Sequence, residues 1–210
     1  MKNGPLFFLG LFFALALSWA GLALGTHAQL GDLQPHYDDI EGKAFPQRAS
    51  GIASRGQLVY QDLGCASCHT QQVRRPSFGA DEARGWGSRQ SVTRDYVHQK
   101  RPLLGQSRLG PDLANFGIRA EAAGATKTDL LVDLYNGSHE MPAYRFLFEE
   151  REIVGQPSSN ALQGVAAAGS ELVPTERAET LAAYLLSLKQ TYEYPEARPY
   201  APDETQEGAH

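Results

Sequence analysis

The chain of 210 residues has two cysteines and two methionines, and one of the methionines is the initiator. Two cysteines exclude a disulfide-stapled scaffold and a four-cysteine zinc site. A basic excess is also missing, since 24 acids against 19 bases leave a formal charge of −5. Nucleic-acid binders carry the opposite balance, so no nucleic-acid partner is expected. Charged residues form 20% of the chain and hydrophobic ones 42%, which excludes a disordered polymer and a polytopic membrane protein alike. There is no internal repeat.

The hydrophobic residues that are present are unevenly spread. Leu6 to Leu24 reads LFFLGLFFALALSWAGLAL, nineteen residues without a charge. As a helix this run is roughly 28 Å long, close to the ~30 Å hydrocarbon core of a bilayer. Lys2 precedes it and Asp32 is the first acid after it. That bias favours an N-inside orientation, with everything beyond residue 25 outside the cytoplasm. The competing reading is a cleaved signal peptide, with Thr26-His27-Ala28 as a poor cleavage site. Signal h-regions run to about 7–15 residues, so residues 1–25 are read as a retained transmembrane anchor.

Residues 26–49 are polar and turn-rich, with Gly31, Pro35, Gly42 and Pro46, and read as a linker. Residues 191–210 hold three prolines, five acids and one arginine, a net −4, and read as a solvated acidic tail. Tyr192, Tyr194 and Tyr200 leave that tail room to pack against a partner. Between the two lies one soluble domain, residues 50–190.

The chemistry concentrates at Cys65-Ala66-Ser67-Cys68-His69. Cys-x-x-Cys-His is the attachment pattern of a c-type haem. Two thiols one turn apart add to the two vinyl groups of a porphyrin, and the histidine that follows is held under the iron as its proximal ligand. One covalent haem c is therefore the expected cofactor. A thioredoxin-type redox pair would need a βαβ setting and no obligatory histidine. A zinc site would need a fourth ligand, with His98 or His139 as candidates.

A six-coordinate haem needs a second axial ligand. Met141 is the one methionine beyond the initiator and is followed by Pro142. A thioether opposite an imidazole gives low-spin iron with a raised potential and no open site for oxygen, which suits electron transfer. His139 is the rival ligand and would lower the potential. A methionine that merely fills a core gap is the bland alternative.

Three helices are legible around these residues. Ala53–Leu63, with Leu58, Val59 and Tyr60, runs into Gly64 and the cysteine motif. Asp129–Tyr135 is short and amphipathic and ends at Asn136-Gly137, a C-cap signal before the methionine. Thr175–Lys189 has Thr175 as N-cap, with Glu176 and Glu179 at its positive end and Lys189 at its negative end. Leu181, Tyr184, Leu185 and Leu188 share one of its faces. Gly56 and Tyr60 are placed to form a close crossing between the first and last helices.

A first helix, CxxCH, a long loop, a Met-Pro turn and a last helix reading Ala-Tyr-Leu-Leu-Ser-Leu together resemble class I cytochrome c. The fold so implied is mainly α, a single N-terminal transmembrane helix followed by a class I cytochrome c domain with long loops. In that family a proline carbonyl orients the proximal histidine. The resemblance gives this role to Pro111 in Gly110-Pro111-Asp112-Leu113, acting on His69.

The chain is further similar to the monohaem subunit (subunit II) of cbb3-type cytochrome c oxidases. The similarity rests on Val59-Tyr60, Gly64 through Arg74, Trp86-Gly87-Ser88-Arg89, Arg108 through Ala114, and Met141-Pro142-Ala143-Tyr144. Residues 89–106 and Ser138-His139-Glu140 depart from that pattern, and 155–173 is rich in Gly, Ala and Ser.

This resemblance implies a membrane-anchored electron relay and not a catalyst, with His69 and Met141 as iron ligands. Its partners would be a large haem-copper catalytic subunit, a further cytochrome c subunit and membrane lipid, with no small-molecule substrate of its own. The location implied is a bacterial inner membrane, with the haem domain on the periplasmic side. The other readings are a free-standing anchored carrier and the small subunit of a nitric oxide reductase. Arg74, Arg108 and Arg119 are candidate partners for haem propionates, which favour bidentate donors. Trp86 is read as core or as a neighbour of the electron path.

Overall fold

The structure, a computed structural model, describes residues 3–137 and 141–197. The chain divides into two compact units, Met1–Pro46 with Thr93–Gln99, and Gln47–Val92 with Lys100–His210.

The first unit is led by α1, Gly4–Leu30, 27 residues with a mean hydropathy of 2.1 and none of its apolar window buried. Leu6, Phe7, Phe8, Phe12, Leu17 and Leu22 are all exposed. A helix that is apolar all round and has no protein against it needs a non-aqueous surrounding. Its length and composition fit a single-pass membrane anchor. A π-helical turn at Ala20–Leu24 interrupts its regular winding.

Beyond the helix, the stretch expected to be a linker holds a small antiparallel ribbon, β1 (His36–Asp38) and β2 (Lys43–Phe45), with Tyr37 opposite Ala44. Its turn is organised by Asp38, whose Oδ1 accepts the N–H groups of Ile40 and Glu41. Residues Thr93–Gln99 join this unit through an Arg94 guanidinium bond to Gln34 O. His98 Nε2 also lies 3.0 Å from Pro46 O. The turn chemistry of Gly42 was visible in the sequence, whereas pairing with a segment some fifty residues on was not.

The second unit is the cytochrome-like body. Here α2 spans Gly51–Asp62, α3 Phe116–Ala122, α4 Lys127–Asn136 and α5 Glu176–Ser187. Caps explain three of the starts. Ser50 Oγ accepts Ala53 N–H, Thr126 and Asp129 form a reciprocal capping box, and Thr175 accepts Ala178 N–H. A second ribbon, β3 (Phe148–Glu152) with β4 (Ser170–Pro174), delivers the chain to α5. The long loop between these strands is tied down by Glu171, which accepts Ser158 N–H and Oγ–H and pairs with Arg151. The fold is thus mainly helical with long loops, as expected, with two short ribbons added.

The core forms where α2 crosses α5. A methyl group at Gly56 would lie 1.8 Å from Thr180 O, so the two backbones touch there. Tyr60 is fully buried and meets Tyr184 edge to face at 5.4 Å. Leu131, Leu147, Leu172 and Leu181 complete the same cluster, whereas Leu58 turns outward. Gly56→Ala is expected to cost about 3 kcal/mol or more, because the obstacle is backbone and cannot step aside. A lowered urea midpoint for the full-length chain in detergent checks this, and an unchanged midpoint contradicts the close crossing.

The start of the acidic tail is solvated only in part. Tyr194 and Ala197 are buried, Arg89 Nε donates to Tyr192 O at 2.7 Å, and the Arg89 guanidinium covers the Tyr194 ring. The aromatic rings and a buried arginine outweigh the polar composition of this stretch. Tyr200 and the rest of the tail lie outside the described residues, as does Lys2.

Candidate cofactor site

Helix α2 ends at Leu63, and Gly64 takes a left-handed conformation (φ 70°) that swings the chain into a 3-10 turn at Cys65–Ser67. Cys68 N–H and His69 N–H both bond to Cys65 O, at 3.2 and 3.0 Å. This winding places the two thiols one turn apart with the imidazole directly after them. Both cysteines are half-buried and unbridged. Burial pushes the Cys65 thiol up to about 11. Redox-active dithiols move the other way, so this is a poor setting for thiolate chemistry. Among the described residues, no three His, Cys, Asp or Glu side chains gather as a metal cluster. His139, one of the zinc candidates and the rival axial ligand, lies outside the described residues.

His69 is held on two sides. Its Nδ1 lies 2.9 Å from Pro111 O, so that ring nitrogen carries the proton and Nε2 keeps its lone pair. The ring also lies against Gly110, where a methyl group would come 2.2 Å from Cε1. Gly110 N–H bonds to Cys68 O at 3.0 Å, which fixes that approach. Gly105 (φ 82°) brings a second loop equally close, 2.2 Å from His69 O if a methyl group were added.

A polar lattice supports these two segments. Asp112 is completely buried and accepts Thr70 Oγ1–H at 2.6 Å, Gln72 N–H at 2.8 Å and Ala114 N–H at 2.8 Å. Arg108 donates through Nε to Thr70 Oγ1 and through Nη2 to Gln72 O and to Asp81 Oδ2, with Nη1 on Asp81 Oδ1. Arg119 donates to Asp112 O at 2.6 Å. Two of the three arginines suggested as propionate partners are therefore engaged by protein acceptors. Arg74 remains exposed, and its backbone N–H bonds to Asp81 Oδ2 at 2.7 Å. Trp86 is half-buried between the guanidinium groups of Arg84 and Arg108.

Burial alone would raise the Asp81 carboxyl, but its bonds from Arg108 and from Arg74 N–H, with their charges, hold it below its ordinary value. A carboxylate lowered in the folded state adds stability at pH values above its unfolded pKa, about 3.9, and loses it as pH falls through the folded value. Thermal stability should therefore be level near neutrality and fall below about pH 4, with a shallower acid limb in Asp81→Asn. An identical acid limb in the variant contradicts this. Arg108→Leu takes the guanidinium from two buried carboxylates, Asp81 and Asp112, and is expected to cost about 3 kcal/mol.

Met141 follows α4. Gly137 (φ 72°) turns the chain so tightly that a methyl group there would lie 2.6 Å from Met141 O. Tyr144 N–H then bonds back to Leu134 O at 2.8 Å. Met141, Tyr144, Cys65, Ala66 and Leu103 are all half-buried against the same hydrophobic core. The Tyr144 phenol is near Cys65 and Cys68, and burial raises it. Neither Tyr144 nor Asp112 stood out from the sequence beyond its place in a quoted string. Free paired thiols, an imidazole with one nitrogen occupied, a thioether and apolar neighbours form a donor set that fits a c-type haem.

An apolar N-terminal helix that fits a membrane anchor, followed by a cytochrome c-like helical body, defines the class of fold. The family model of the cytochrome c oxidase mono-haem subunit, FixO, matches residues 38–192. The chain belongs to that family, the one-haem electron-transfer subunits of cbb3-type oxidases, which associate with a catalytic oxidase subunit. A search of curated proteins returns no match.

Proposed function

We propose that this chain holds one haem through thioether bonds at Cys65 and Cys68, with His69 and Met141 as axial ligands. In that role it passes electrons to the large haem-copper subunit that reduces oxygen to water. The observation that carries the reading is the 2.9 Å contact between Pro111 O and His69 Nδ1. It assigns the proton to Nδ1 and leaves Nε2 as the donor toward a metal.

When bound, the haem supplies a reversible one-electron couple. The protein's residues do the rest. Cys65 and Cys68 would tether the group and His69 and Met141 would ligate its iron, leaving no position for oxygen, while Pro111 and Gly110 orient the imidazole. Arg74, exposed just after the motif, is the candidate for a carboxylate edge. Arg108 acts by bracing the loops that carry His69 and Pro111. The body sits on the periplasmic side of a bacterial inner membrane, with α1 in lipid and a further cytochrome c subunit as a partner.

The test is haem retention on a denaturing gel. Haem is expected to stay with the wild-type chain and to fall at least tenfold in the Cys65→Ala, Cys68→Ala double variant. Haem that leaves the wild-type chain in acidified organic solvent would overturn covalent attachment.

A further inference from the structure

Every contact of the Asp112 carboxylate is with a donor. Oδ2 receives Thr70 Oγ1–H and Gln72 N–H, Oδ1 receives Ala114 N–H, and Arg108 Nη2 stands 3.7 Å from Oδ2. Two of the groups it binds, Thr70 and Gln72, lie one and three residues after His69, while Asp112 itself directly follows Pro111. Backbone bonds join the same two segments, Leu113 N–H to Thr70 O at 2.7 Å and Gly110 N–H to Cys68 O at 3.0 Å. The carboxylate thus ties the strand carrying the histidine to the strand carrying the carbonyl that orients it, with no exposure to water.

We propose that Asp112 is a positioning residue for His69, holding the Pro111 carbonyl on Nδ1 and thereby setting how strongly Nε2 donates to the iron. The proposal rests on the reading of His69 as an axial ligand. A well-placed acceptor on Nδ1–H makes the imidazole more basic and favours the ferric state. A buried negative charge nearby acts in the same direction. Loss of either raises the potential. Asparagine cannot replace this group, because in either orientation its NH₂ would face a donor, Ala114 N–H on one side or Thr70 and Gln72 on the other. Glu171 provides the contrast. It is a buried carboxylate too, but it accepts Ser158 N–H and pairs with Arg151, on the second ribbon.

The experiment is a spectroelectrochemical titration of the haem-loaded complex in four forms: wild type, Asp112→Asn, Thr70→Val and Glu171→Gln. Asp112→Asn is expected to shift the reduction equilibrium roughly tenfold toward ferrous iron, about 59 mV for one electron. Thr70→Val, which removes one of the donors, should shift it the same way by a smaller factor. Glu171→Gln should lower the melting temperature and leave the equilibrium within about twofold of wild type. If Asp112→Asn melts earlier but keeps the wild-type potential, its role is structural alone and the inference fails. Should that variant not fold, an unmoved potential in Thr70→Val contradicts the inference equally. A wild-type chain without haem overturns the ligand reading and the inference with it, whereas haem-loaded wild type with an unmoved Asp112→Asn overturns the inference alone.

Discussion

Replacing Met141 with leucine is expected to leave haem on the chain, lower its midpoint potential by on the order of 100 mV and open the iron to carbon monoxide. The side chains are similar in volume, and Met141 is only half-buried, so packing should change little. What leucine lacks is the sulfur lone pair. Methionine opposite histidine stabilises the ferrous state, and its loss leaves five-coordinate iron that accepts a diatomic ligand. Ferrous-carbon monoxide difference spectra of wild type and variant make the comparison. A variant that still refuses carbon monoxide would show that another residue supplies the second ligand, with His139 the first to test.

Gly110→Ala should cut haem loading by about tenfold or more, the second large effect, as converts to roughly 1.4 kcal/mol of lost positioning. The added methyl would lie 2.2 Å from His69 Cε1, 2.7 Å from Nδ1 and 2.9 Å from Nε2. Moving the ring off Gly110 strains its bond to Pro111 O, so relief of the clash disturbs the orientation of the imidazole. Gly51→Ala is the control. It sits at the start of α2 with nothing within 4 Å of an added methyl, and no left-handed backbone conformation is involved. Soret absorbance per chain reads both variants. Full loading in Gly110→Ala would contradict the packing of the imidazole on that glycine.

Much of this molecule was legible because the signals were local. The cap at Thr175, the stop at Gly64 and the apolar faces of α4 and α5 all lie within a few residues of what they control, whereas the caps at Ser50 and Thr126 start their helices two residues before the expected Ala53 and Asp129. The close approach at Gly56 was readable because a glycine inside an amphipathic helix costs stability unless something needs the space. Helix α3 was not legible, since seven residues are too few to show a period, and its fit depends on Gly117 lying against Leu186 O. The packing of Tyr192 and Tyr194 was hidden for another reason. Their partner, Arg89, is about a hundred residues away, and nothing nearby marks the pair.

The candidate site divides in the same way. Its candidate ligands stood out, Cys65, Cys68 and His69 by a short pattern and Met141 as the one methionine beyond the initiator. The groups that hold them do not. Arg108 looked like a surface donor for a cofactor carboxylate, yet its donors are directed at Asp81, Gln72 and Thr70. A sequence shows that an arginine is present but not which acid folds beside it, and Asp81 lies 27 positions earlier. The same limit hid Asp112, whose carboxylate reads as one more turn aspartate until Thr70 and Gln72 are seen donating to it.

The central claim is that this chain is a covalent-haem relay built into an oxidase. Its most direct test is a reduced-minus-oxidised visible spectrum of material drawn down on a C-terminal tag after mild detergent extraction, followed by oxygen consumption of the same sample. Co-purifying c-type and b-type haem bands with oxygen turnover are the expected result. A c-type band alone under the mildest extraction, or a colourless chain, would contradict it.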